Sequence, residues 1–80
     1  MRKNINVIAK MTEIGKVIPL KILWSETEIF EIDKVIDIRK KASTKGGGMG
    51  LRYTCKIKGI EKFLFLDEYT WFVEIENKTK

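Results

Sequence analysis

Apolar and polar residues alternate with a period of two along most of this chain, the pattern of strands with one face buried and one solvated. Ile5, Val7, Ala9 and Met11 make the first such run, and Glu13, Ile14, Gly15 and Lys16 mark a turn after it. Leu20, Ile22 and Trp24 make the second. Pro19 near its start has no N–H for a ladder, so this strand is expected to begin there or to lie at an edge. Ser25, Glu26, Thr27 and Glu28 then break the pattern.

Residues 29–40 admit two readings. Ser25 followed by Glu28 has the spacing of a capping box, which would open a helix. On a helical wheel, however, Ile29, Phe30, Val35, Ile36 and Ile38 spread over every side and leave no polar face. The segment is rich in β-branched residues, and a strand is the expectation.

Residues 41–50 hold four of the six glycines and predict a flexible connection. Leu51, Tyr53, Cys55 and Ile57 then alternate with Arg52, Thr54, Lys56 and Lys58, and Gly59 marks a short reversal. Phe63 and Phe65 fall on one face of the next run, Leu64 and Leu66 on the other. Asp67, Glu68, Tyr69 and Thr70 turn the chain, and Trp71, Val73 and Ile75 complete the pattern. About six short strands without a helix imply a single all-β domain over residues 1–76, followed by a polar tail at 77–80. A small antiparallel barrel of the SH3-like kind fits strands joined by hairpins. An OB-like barrel is the alternative, although that fold usually inserts a helix.

The segment 32–39, the glycine-rich stretch, residues 50–59 and Trp71, Phe72, Val73 and Glu74 together resemble a family of short uncharacterised bacterial proteins. The likeness covers residues 17–76. It implies a compact β-domain and supplies neither an activity nor a functional residue.

Composition narrows the chemistry. In 80 residues there is no His, which removes the commonest general base and metal ligand, and one Cys, which excludes an internal disulfide or a Cys cluster for zinc. No apolar run approaches the ~20 residues of a membrane span. The apolar stretch near the start is broken by Asn6 and closed by Lys10, shorter than the ~7–15-residue core of a signal peptide. With the unpaired Cys55, this points to the reducing cytoplasm. Cys55 shares a face with Tyr53 and Ile57 and reads as a core residue rather than a nucleophile. Asp33 and Asp37 would lie about 13 Å apart on a strand, too far for a carboxylate dyad, and Glu74 and Glu76 read as solvated. Lys45 precedes Gly46, Gly47, Gly48 and Gly50 rather than following them, so the glycines do not match a phosphate-binding loop. The expectation is a non-enzyme with no catalytic residue, metal or cofactor.

Charge is the informative feature. The formal net charge is +5, yet residues 39–58 alone carry seven bases, Arg39, Lys40, Lys41, Lys45, Arg52, Lys56 and Lys58, and no acid. Arg52, Lys56 and Lys58 alternate on the side of their strand away from the core. The strand–loop–strand element is therefore expected to be a phosphate-backbone footprint for nucleic acid or another polyanion, with Tyr69 or Trp24 available for stacking. The competing expectation is a solvated face whose charge is met by Asp33, Asp37, Glu61, Glu74 and Glu76. A second functional reading takes Leu64, Leu66 and Phe72 as an outward apolar face for a protein partner or a homodimer. Barrel aromatics, Trp24, Tyr53, Tyr69, Trp71 and Phe72, would be candidates for a Pro-rich peptide groove. No membrane partner is implied.

Overall fold

The computed structural model describes residues 2–42 and 49–75, with side chains for 2–41 and 50–75. Among them there is no helix. The strands are β1 (Arg2–Met11), β2 (Val17–Leu23), β3 (Ile29–Glu31), β4 (Lys34–Ala42), β5 (Met49–Ile57), β6 (Ile60–Asp67) and β7 (Thr70–Glu74). They form one antiparallel sheet in the order β3-β2-β1-β7-β6-β5-β4, curled into a half-barrel.

The curl comes from β1. Its first residues pair with β7, from Arg2 opposite Glu74 to Ile5 opposite Trp71. Its remainder pairs with β2, from Asn6 opposite Leu23 to Met11 opposite Val17. One long strand thus serves both halves of the sheet. The β1–β2 register slips where Ala9 meets Pro19, leaving Leu20 without a partner on β1. Proline supplies no ladder N–H, so a bulge there costs little. Beyond Pro19, β3 covers only Lys21, Ile22 and Leu23, so β2 is an edge at Pro19, as the sequence predicts.

Residues 29–40 are extended rather than helical, but they form two strands, not one. β3 lies at one end of the sheet order and β4 at the other. The chain changes sides at Ile32 and Asp33. The Ile32 N–H donates to the Leu20 carbonyl of β2 at 3.0 Å, and the next N–H, of Asp33, donates to the Lys56 carbonyl of β5 at 2.8 Å. Two consecutive amides therefore bring the two ends of the curled sheet together. Ser25 does accept the Glu28 N–H, at 3.2 Å, but it fastens the β2–β3 reversal rather than a helix start.

The concave face carries the core. Ile5, Ile22, Tyr53, Cys55 and Leu64 are buried together, with Val7, Trp24, Phe30, Val35, Ile38, Leu51, Leu66, Trp71 and Val73 packed around them. Fully burying an aliphatic side chain such as Ile22 or Leu64 stabilises the fold by about 1.5–3 kcal/mol. This placement corrects the expectation of an outward apolar face built from Leu64, Leu66 and Phe72. Leu64 is 1% exposed in the core, and Leu66 sits opposite Trp71 on the same concave side. Phe72 is opposite Phe65, on the convex side. The reason is hairpin parity. Once Asp67 pairs with Thr70, residues summing to the same register must share faces, so Leu66 follows Trp71 and Phe65 follows Phe72.

Candidate nucleic-acid interface

The convex face of β4, β5, β6, β7 and β1 is assembled row by row from the ladder. One row runs Arg39, Arg52, Phe65, Phe72 and Asn4 across the strands. A second runs Asp37, Thr54 and Phe63. A third runs Lys41, Gly50, Asp67 and Thr70, and a fourth Lys34, Lys56 and Glu61. An Ile36 bulge, where the β4–β5 register slips between Val35 and Asp37, keeps Arg39 and Lys41 on this face.

At the centre lie three phenylalanines. Phe65 stacks on Phe72 with ring centroids 5.1 Å apart and planes 12° from parallel. Phe63 meets Phe65 edge-on at 6.5 Å. Each ring carries a cation. The Arg2 guanidinium lies 3.8 Å from the Phe72 centroid, the Lys41 ammonium 4.5 Å from that of Phe65, and the Arg52 guanidinium 4.6 Å from that of Phe63. Such contacts contribute about 0.5–1 kcal/mol each at exposed sites. They also let the aliphatic stems cover apolar surface while the charged ends stay near water. Phe65 is 6% exposed under this cover, whereas Phe63 keeps 52% of its surface in solvent.

The electrostatics are unbalanced. Arg39 stands directly opposite Arg52, and Lys34 directly opposite Lys56. Like charges facing each other across a ladder destabilise it. Acids offset part of this. Asp37 holds the Arg39 Nε at 2.8 Å, and Asp67 lies 3.9 Å from Arg2. Glu61 is the ladder partner of Lys56. Among the described residues no carboxylate pairs with Arg52, whose Nε is buried without a hydrogen-bond partner.

The structure gathers Arg39, Lys41, Arg52 and Lys56 on this face. Lys40 does not belong to it, because it stands opposite Leu51 and so takes the concave side. Lys58 does not either. It occupies a two-residue turn between Ile57 and Ile60, with φ 52°, and its ammonium lies 5.5 Å from the Phe30 centroid. Lys45, Gly46, Gly47 and Gly48 lie outside the described residues. Neither residue expected to stack is here. Trp24 packs against the core, and Tyr69 is 96% exposed on the β6–β7 turn. Phe63, Phe65, Phe72 and Arg2 are the members that sequence reasoning missed. The alternation of Phe63 and Phe65 against Leu64 and Leu66 was the available signal.

Asp33, Asp37 and Cys55 are otherwise engaged, and Glu76 lies outside the described residues. The Asp33 carboxylate accepts the Lys58 N–H at 3.0 Å, fastening the β5–β6 turn. Cys55 is fully buried, and burial pushes its thiol up to about 11. No group of three or more Cys, Asp or Glu among the described residues is arranged to hold a metal ion. No described helix is long and apolar enough to cross a membrane. No protein-family model, no curated protein and no solved structure matches this chain.

Proposed function

We propose that this chain is a non-catalytic binding module that takes nucleic acid or another polyanion on the convex face of β4, β5 and β6. The observation that carries the reading is the two opposed like-charge pairs, Arg39 with Arg52 and Lys34 with Lys56, on β4 and β5. An anion between such cations relieves the repulsion that Asp37 and Glu61 offset only in part. The non-catalytic part rests on composition, a chain without His whose single thiol is buried and held protonated. A reducing cytoplasm suits that unpaired thiol.

The test is binding to nucleic acid as a function of salt. Each phosphate contact adds about 0.7–0.9 to the log–log slope, so three or four contacts from Arg39, Lys41, Arg52 and Lys56 give a slope of roughly −2 to −4. Replacing the exposed Arg39 and Lys56 with Gln weakens binding and leaves thermal stability within about 1 kcal/mol, because exposed ion pairs contribute little to folding. Absence of binding at low salt would reduce the face to a solvated surface.

A further inference from the structure

Resting on that polyanion reading, we infer that the occupant is a single nucleic-acid strand whose unpaired bases stack on Phe63 and on the Arg2 guanidinium that caps the Phe65–Phe72 stack, while its phosphates follow the flanking cations. The observation is how rings and charges interleave. Phe63, Phe65 and Phe72 occupy the middle strands, with Arg39, Arg52 and Lys41 on the β4–β5 side and Arg2 on the β1 side. From β4 to β1 is four strand spacings, about 19 Å. A strand laid across that distance meets cations at both ends and rings between them.

A duplex fits this arrangement poorly. Its base faces are stacked on one another, and only its phosphates would reach the sheet. The central rings would then touch no partner surface of their own kind. Unpaired bases, by contrast, expose π-faces that stack on aromatic rings and on guanidinium planes. Phe63 offers half its surface to solvent for this purpose, with Arg52 against it. The Phe65–Phe72 stack ends in the Arg2 guanidinium, a second platform. Asn4 and Thr54 are the neutral polar side chains in the central rows, too few for a base-edge code. Recognition is accordingly tolerant of base identity.

The experiment compares labelled oligo-dT, a DNA duplex of equal length and inorganic polyphosphate by fluorescence anisotropy at low salt. It uses the wild-type chain, Phe63→Leu and Phe63→Trp, with folding checked by circular dichroism. Oligo-dT binds tightest to the wild type. Phe63→Leu keeps apolar bulk but loses the ring, and weakens oligo-dT on the order of tenfold while leaving polyphosphate unchanged. Phe63→Trp retains or tightens oligo-dT binding, and this keeps the test sharp if the leucine variant folds badly. Duplex and polyphosphate binding as tightly as oligo-dT, with no effect of either substitution, overturns the single-strand inference and leaves the polyanion reading standing. Failure of all three probes to bind the wild type overturns both.

Discussion

The Tyr53 hydroxyl donates a 2.6 Å hydrogen bond to the carbonyl of Val17. The two residues belong to β5 and β2, strands separated in the sheet order by β6, β7 and β1. The bond therefore spans the interior of the half-barrel, from a fully buried side chain to the opposite wall. Trp71 packs against the same ring at a centroid distance of 5.3 Å. Tyr53 thus reports on the curl itself, as the Ile32 and Asp33 amides do at the sheet ends.

Tyr53→Phe is expected to keep the fold and lower stability by about 1 kcal/mol, the usual net value of one hydrogen bond, with more if the Val17 carbonyl stays dry. For a domain of this size that is a fall of roughly 4–8 °C in melting temperature. An unchanged melting curve would mean that the curl does not depend on this bond.

Stability is expected to fall in alkali. Tyr53 and Cys55 are neutral when protonated, and burial raises both; for Tyr53 the nearby Cys55 adds to the effect. The folded chain therefore holds these protons to higher pH than the unfolded chain does. The Cys55 contribution is complete below the ordinary thiol value of 9.0 and is lost as pH climbs towards about 11, and that of Tyr53 is complete below the ordinary phenol value of 10.0 and declines above it. Urea midpoints measured from neutral pH upwards should stay level and then decline across that window. At neutral pH a thiol reagent should label Cys55 only once the chain unfolds. Rapid labelling of the native chain would contradict the burial.

The turn at Lys58 and Gly59 has φ values of 52° and 78°, the doubly left-handed geometry of a type I′ hairpin. Glycine adopts this freely; lysine does so at a cost, whereas asparagine is a preferred residue there. Lys58→Asn should raise stability by about 0.5–1 kcal/mol, read as a higher urea midpoint at unchanged slope. The Asp33 carboxylate accepts from the backbone N–H, which the substitution leaves in place. A lower midpoint would show that the Lys58 ammonium over Phe30 outweighs the backbone strain.

Much of the strand content was legible because side-chain alternation is a local property. Leu51, Tyr53, Cys55 and Ile57 could be assigned to one face without knowing any neighbour. The break at Ile32 and Asp33 could not. Nothing local distinguishes one long strand from two whose amides bond to opposite ends of a sheet. The basic face was legible at Arg52 and Lys56 for the same reason as the core. Lys58 was misplaced because the alternation was carried one residue past the strand, into a turn that the pairing of Ile57 with Ile60 defines.

An all-β chain, a buried thiol and a concentration of cations in residues 39–58 follow from residue type and period two alone. Which side of β6 is core is set by pairing across the whole sheet. Alternation divides Leu64 and Leu66 from Phe63 and Phe65 but does not say which set faces inward. Both sets are large and apolar, so hydrophobicity alone does not separate them. The choice is made by the partners, with Leu64 opposite Tyr53 and Leu66 opposite Trp71 on the side where β2 curls over. The phenylalanines are left on the convex face beneath Arg2, Lys41 and Arg52, cations drawn from three strands that come together only when the sheet forms.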